Sequence, residues 1–127
     1  MSTTKVEMSL LAGIVEKIIS TVKTLFNVTG DAPIFACRAW VNFDGTTTPP
    51  TIRASGNVSS VVRNATGDYT VNFTSPLQDG NFVPTYAGSP FRVFQNGIQG
   101  SAAYRFLSSD AAAVATNYVY ISLAFFR

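Results

Sequence analysis

The chain has 127 residues and a formal net charge of +2, which suits one domain with at most one appendage. Its nine basic residues are scattered singly, and this argues against nucleic-acid binding, which needs a basic cluster along the phosphate backbone. Charged residues make up only 13% of the sequence, whereas 46% is hydrophobic. We therefore expect a dense core and a surface that depends on Asn, Ser and Thr or is covered by partner chains.

Residues 6–26 have the pattern of an amphipathic helix with apolar side chains at intervals of three and four residues. These positions form a heptad a/d seam, hereafter the helix seam, made of Met8, Leu11, Val15, Ile18, Val22 and Leu25. Ile14, Ile19 and Phe26 add apolar bulk at the flanking e and g positions. A seam widened in this way favours a coiled coil of three or more helices over one of two.

The same apolar face would also serve an ordinary amphipathic helix that packs on the chain's own β-domain. The helix alone does not decide between the two interpretations, because short heptad runs discriminate poorly. Glu7, Glu16, Lys17 and Lys23 interrupt the apolar residues. We therefore expect neither a secretory signal nor a membrane-spanning helix.

The chain divides into an N-terminal helix and linker, residues 1–31, and a β-domain, residues 32–127. Gly30 and Pro33 in the joint are typical of a helix end. Strand-like alternation recurs near 34–43, 51–62, 68–74, 82–87, 91–95, 98–107 and 116–126. About six or seven short strands at this spacing predict a mainly β fold, a small antiparallel β-sandwich or compact barrel with an N-terminal α-helix.

The first strand segment has an apolar face and a polar face. The apolar face consists of Phe35, Cys37, Ala39, Val41 and Phe43. Cys37, the single cysteine, is therefore expected to be a small buried apolar side chain. Trp40, the single tryptophan, falls on the polar face between Arg38 and Asn42. It either contacts a ligand or an interface, for example by stacking on a sugar, or is covered by a loop or a neighbouring subunit.

Three later segments carry local predictions. Asn96-Gly97 is a strong signal for a two-residue hairpin turn. Residues 110–115 fit either one helical turn or a loop. The C-terminal residues 118–127 are apolar or aromatic on both faces. We expect them to form a strand that is central in a sheet or covered by another chain, because an uncovered edge would invite aggregation.

The chain lacks the residues that most catalytic and metal sites require. It has no histidine, which removes Ser-His-Asp and Cys-His sites, and one cysteine without histidine does not make a structural zinc site. Asp44 and Asp79 are the carboxylates that could meet across a cleft, but turn capping accounts for each of them alone. We therefore predict no enzymatic activity, no metal and no cofactor.

The amino-acid sequence of residues 36–86 resembles that of a known family. RAWVNFDG, IRASGNVSS and GDYTVNF closely resemble a small β-module at the C-terminal ends of bacteriophage tail-fibre proteins. The TTTPP segment that follows Asp44-Gly45 departs from the Gly-rich turn expected there, which leaves the conformation of 45–50 open. The resemblance implies a non-catalytic structural protein of a phage virion, assembled in the bacterial cytoplasm. Together with the sparse charge, it favours a homotrimer joined through the helix.

Met1 precedes the module by only about 35 residues, so we expect a short fibre without a shaft, in which the helix trimerises or attaches to the virion. The expected partners are the chain itself, other virion proteins and a host surface glycan or receptor, with no nucleic acid and no membrane span. Two alternatives remain open. One is a capsid decoration or cement protein, and the other is a soluble carbohydrate-binding module from a cell.

Overall fold

The computed structural model describes residues 3–25, 35–88 and 92–127. The chain forms two compact units, Met1–Ile34 and Phe35–Arg127. The predicted boundary between residues 31 and 32, the joint at 27–33 and the flanking Phe26 lie outside the described residues.

The first unit contains one helix, α1, which spans Thr3–Leu25. The hydroxyls of Ser20 and Thr21 donate to the carbonyl of Lys17 at 3.0 and 2.8 Å, and that of Thr24 donates to Ser20 at 2.9 Å. These side chains are therefore satisfied within the helix. Among the described residues, no helix is both long enough and apolar enough to cross a membrane.

The second unit is built from eight strands. They are β1 Cys37–Asp44, β2 Thr51–Gly56, β3 Val58–Ala65, β4 Asp68–Phe73, β5 Val83–Gly88, β6 Arg92–Gln99, β7 Ala103–Ser109 and β8 Ile121–Phe126. The first sheet has the order β2-β1-β8-β5 and the second the order β3-β4-β7-β6, with antiparallel pairs throughout. Each sheet keeps two edge strands, so the domain is a sandwich and not a closed barrel. The predicted fold class, a mainly β sandwich with an N-terminal helix, is confirmed.

Aromatic side chains from both sheets fill the core. Tyr69, Val71 and Phe73 share the inner face of β4, as the period of two predicts, and all three are buried. Phe125 of β8 faces them from the other sheet, with ring centroids 5.0 Å apart for Phe73 and Phe125. Phe43 of β1 lies 5.3 Å from Tyr69 in an edge-to-face pair. Such edge-to-face pairs join the two sheets across the core.

The predicted single strand over 51–62 is wrong, because the chain changes sheets within it. β2 belongs to the first sheet and β3 to the second, and the change occurs at Asn57, whose φ is 56°. Asn tolerates this left-handed conformation better than most residues. Its side chain also fastens the corner by donating to the carbonyls of Arg38 and Ser75, each at 3.0 Å.

The predicted hairpin turn at Asn96-Gly97 is also wrong. Both residues lie inside β6, where the register against β7 shifts between Gln95 and Gln99 and Gly97 has a φ of 87°. The glycine serves an irregularity within the strand instead of a turn. The reversal lies a few residues later, where the Gly100 N–H donates to the Ala103 carbonyl at 3.0 Å.

Cys37 is exposed, so its predicted burial is wrong. The ladder between β1 and β8 shifts register between Cys37 and Ala39, and this interrupts the alternation at the start of β1. Phe35, on the same predicted face, is 69% exposed, whereas Ala39, Val41 and Phe43 are buried.

The two segments left open by the sequence are both loops. Residues 110–115 are held by the Asp110 carboxylate, which accepts hydrogen bonds from the N–H groups of Ala112 and Val114 at 3.0 and 2.9 Å. The loop at 45–50 is fastened from β3, because the Arg63 guanidinium donates to the carbonyls of Gly45 and Thr46 at 3.2 and 3.3 Å.

The C-terminal strand β8 lies between β1 and β5, as predicted for a strand that is apolar on both faces.

Tyr69 links this core to the surrounding loops and makes stability sensitive to alkaline pH. Its hydroxyl donates to Asn117 Oδ1 at 2.7 Å and lies 3.0 Å from the Gly45 carbonyl oxygen. Burial raises the pKa of the Tyr69 phenol from 10.0 to about 12. The folded state therefore holds this proton more tightly than the unfolded state, and the resulting stability is present below pH 10.0 and lost as the pH rises towards about 12.

We expect Tyr69→Phe to lower the free energy of unfolding at neutral pH by about 1–2 kcal/mol, because Asn117 and Gly45 lose a donor. The difference from the unaltered chain should shrink as the pH rises from 10.0 towards about 12, and urea midpoints across this window measure it. Tyr120→Phe is the matched control, because the Tyr120 side chain is 57% exposed. A constant difference across the window would show that the Tyr69 phenol does not couple to folding.

Candidate functional site

The helix seam is a continuous apolar surface. Within α1, its six residues are between 37% exposed, at Val22, and 78% exposed, at Leu25. The flanking Ile14 and Ile19 are 48% and 52% exposed. Large apolar side chains thus follow one another along the whole helix without cover from the helix itself, and this arrangement calls for a partner surface.

The apolar surface of α1 is wider than the seam that the sequence analysis singled out. Val6 and Leu10 precede Ile14 at intervals of four, and they are 52% and 66% exposed. Residues four apart form a ridge on one side of a helix, so these two side chains extend the apolar surface to roughly half of the circumference. The interval of four beside the seam was the signal that could have identified them. A surface of this width fits a helix that touches more than one neighbour.

The outer face of the first sheet carries Trp40, which is 44% exposed. This exposed fraction agrees with contact with a ligand or with another subunit, two of the interpretations that the sequence left open. The residues that face outward with it come from three adjacent strands, β1, β8 and β5. Two rows lie side by side in register, Trp40–Ala124–Thr85 and Asn42–Ser122–Ala87.

These six residues, with the intervening Val41, Tyr86 and Leu123, line a shallow depression of about 340 Å³, hereafter the Trp40 trough. Ala124 and Ala87 leave its floor low because their side chains are short. The Asn42 amide donates to the Ser122 hydroxyl at 2.7 Å, and the Thr85 hydroxyl donates to the Ala124 carbonyl at 3.3 Å. No acidic or basic side chain is among the described residues that line it. The trough therefore offers a neutral floor with hydroxyl and amide groups in fixed positions.

Gly56 decides how the indole of Trp40 lies. Gly56 of β2 pairs with Trp40, and a methyl group on Gly56 would collide with Nε1 and Cδ1 of the indole. The five-membered ring thus rests against the glycine backbone, which leaves it supported from beneath and open to solvent. The glycine in the quoted IRASGNVSS segment has this local function, which the sequence pattern did not indicate.

Asp44 and Asp79 do not form a catalytic pair. Asp44 stands at the end of β1, whereas Asp79 binds Arg127, which follows the residue paired with Cys37 at the start of β1. The eight residues of β1 separate the two ends by roughly 20 Å, well beyond the spacing of about 5–10 Å in a glycosidase.

Each of the two carboxylates caps its own turn. The Thr46 hydroxyl and N–H, with Arg53 nearby, hold the pKa of Asp44 below its ordinary value. The Asn81 N–H and the Arg127 guanidinium do the same for the pKa of Asp79. In the part of the chain that the structure describes, no three His, Cys, Asp or Glu side chains converge as metal ligands.

Comparison of the chain with protein-family models, with curated proteins and with solved structures finds no match. The helix seam and the Trp40 trough are therefore interpreted from their own chemistry. The resemblance of residues 36–86 to the tail-fibre module stays a prediction.

Proposed function

We propose that the chain is a non-catalytic structural protein of a phage virion, a short trimeric tail fibre or fibre-like appendage that takes part in host attachment. In this proposal α1 joins three copies, and the three sandwiches present their outer faces to the host. The exposed helix seam is the structural observation that carries the trimeric assembly at the centre of the proposal.

Burial of the seam is large enough to drive association. A fully buried Leu, Ile or Val side chain contributes about 1.5–3 kcal/mol, and the helix seam supplies six apolar residues from every copy. Association costs about 4–15 kcal/mol in translational and rotational freedom. A trimer incurs this cost twice, and burial of the eighteen seam side chains of three helices is large enough to exceed it. The apolar flanks at Ile14 and Ile19 favour three helices over two.

The sandwich supports the same proposal because its core is complete without the helix. Among the described residues, the core cluster runs from Ala39 to Phe125 and is drawn from the sandwich alone. A domain with its own closed core does not need the apolar face of α1 for folding. In the proposed assembly that face packs against other copies of the chain.

The assignment to a phage particle rests on the resemblance of RAWVNFDG, IRASGNVSS and GDYTVNF to the tail-fibre module. A capsid decoration protein would also be a small β-trimer, so location and copy number distinguish the two.

We expect an antibody raised against this chain to decorate the tail of purified particles in immunogold electron microscopy. On a stained gel of the same particles, the chain should be present at a small multiple of three copies. Antibody absorbed beforehand with the purified protein serves as the control. Decoration of the shell, with a copy number close to that of the major capsid protein, would assign the chain as a decoration protein. Absence from the particles would refute a virion function.

A further inference from the structure

We propose that the Trp40 trough binds a neutral saccharide ring. The inference rests on the proposed function in host attachment, and it names the chemical class of ligand that the sandwich takes. It is carried by the shape, the polarity and the charge of the trough.

The shape suits a flat, small ring. The trough measures about 340 Å³, which lies at the lower end of the range for small-molecule sites and leaves room for about one or two sugar rings. The alanines at 87 and 124 keep its floor low, and the indole of Trp40, which rests against Gly56 of β2, borders it. A pyranose can lie on this floor with an apolar C–H face against the indole.

Trp40 is a pre-organised platform for such a ring. Its five-membered ring rests against Gly56, while 44% of the side chain stays exposed. An aromatic side chain held in one place loses little conformational freedom when a ligand stacks on it, which favours binding. Aromatic walls with a few fixed polar groups are the usual composition of small-molecule sites.

The polar groups of the floor match sugar hydroxyls. The Asn42 amide donates to Ser122 at 2.7 Å, and its oxygen has the capacity to accept from a ligand hydroxyl. The Ser122 hydroxyl, which accepts that bond, has a proton to donate. Donor and acceptor thus stand side by side, as they do on each hydroxyl of a sugar. No acidic or basic side chain lines this described surface, so charge complementarity favours a neutral ligand over a charged one.

The strand order argues against an extended peptide in this place. β1 and β8 are internal strands, each paired on both sides, and their backbone groups are therefore used within the sheet. An added strand pairs in the plane of the sheet, here at the outer edge of β5, and not on the outward face that forms the floor of the trough.

Trp40 also supplies the test, because it is the only tryptophan and its fluorescence reports on the trough alone. The full chain is titrated with the methyl glycosides of glucose, galactose and N-acetylglucosamine, and with sodium glucuronate as the charged control. We expect a saturable blue shift with at least one neutral glycoside and a Kd of roughly 1–10 mM, typical of a small ligand on a shallow site. Glucuronate should bind about tenfold more weakly or not at all. The absence of saturable change with every glycoside, or equal binding of glucuronate, would overturn the inference.

Two variants test whether the glycoside binds in the Trp40 trough. Ala124→Leu fills the floor while it keeps the fluorescent side chain, and we expect it to weaken binding at least about tenfold. Trp40→Ala, followed by saturation-transfer NMR of the glycoside, should abolish the signal, whereas the control Phe94→Ala should retain it. Phe94 lies in the second sheet and is 45% exposed, close to the 44% of Trp40. Unchanged binding in Trp40→Ala would refute the site.

Light scattering on the same samples separates this inference from the proposed assembly. A trimer without a sugar response would refute the saccharide site and leave the assembly standing. A monomer with a sugar response would refute the trimeric assembly and leave the saccharide site standing. If Trp40→Ala dissociated the trimer, the trough would be an interface between copies, and the saccharide inference would be wrong.

Discussion

Replacement of Val15 and Ile18 together by Asp is expected to convert the trimer into monomers and to leave β-type circular dichroism largely intact. Both residues belong to the helix seam and are 47% and 58% exposed within the helix, so the single chain tolerates the charges in water. In a closed seam the carboxylates of three helices would meet among apolar side chains without cationic partners. Each such burial costs several kcal/mol, and the six carboxylates of a trimer together would outweigh what the remaining seam residues supply.

The matched control adds the same charge outside the seam. Ser9→Asp with Ser20→Asp introduces two carboxylates at outer heptad positions and should keep the trimer. Light scattering gives the mass of both variants, and circular dichroism reports the sandwich. If Val15→Asp with Ile18→Asp stays trimeric, the seam does not join the chains and the β-domains do. If that variant unfolds outright, α1 is packed into the β core, and the interpretation as an ordinary amphipathic helix is correct.

Phe125→Ala is expected to lower the free energy of unfolding by about 3–5 kcal/mol. The Phe125 ring is fully buried and contacts the rings of Phe73, Phe82 and Tyr104 at centroid distances of 5.0, 5.5 and 5.5 Å. Its removal leaves a cavity that these large rings cannot fill by small movements. The shift of the urea midpoint measures the loss.

Phe126→Ala is the control from the next position of the same strand. Phe126 is 36% exposed, so we expect a cost of about 1 kcal/mol or less. A shift of the β8 register by one residue would exchange the two positions. Equal costs, or a larger cost for Phe126, would therefore contradict the pairing of Phe125 with Ala39 and Pro84.

The sequence predicts the fold well where the signal is local. Tyr69, Val71 and Phe73 alternate with polar residues, and the period of two alone identifies the buried face of β4. The apolar faces of β8 likewise predict a strand with neighbours on both sides. In these segments the side chains that decide burial lie in one strand, so a short window contains the information.

The predictions are wrong where the pairing of strands that are distant in sequence determines the structure. The strand-like pattern over 51–62 continues through Asn57, and although Gly56-Asn57 has the composition of a turn, nothing local shows that the two halves belong to different sheets. At Cys37 a shift against β8, more than 80 residues away in sequence, overrides the local pattern. Asn96-Gly97 has the composition of a turn, but the ladder with β7 extends across it and moves the reversal to Gly100.

The residues of the candidate site likewise divide into those that local sequence predicts and those that depend on strand pairing. The helix seam follows from spacing within one element, so all six of its residues were accessible from the sequence. Trp40 was also accessible as an outward tryptophan. Thr85 and Ala87 were not, because only the register of β5 against β8 brings them beside it. Gly56 gave no signal either, since its importance lies in the indole that rests against it.

The mass of the unaltered full chain in solution tests the central claim most directly. Multi-angle light scattering at micromolar concentration is predicted to give about three times the chain mass of 13.6 kDa, unchanged on moderate dilution. A monodisperse monomer of 13.6 kDa under the same conditions would contradict assembly through the helix seam, and with it the proposed trimeric fibre.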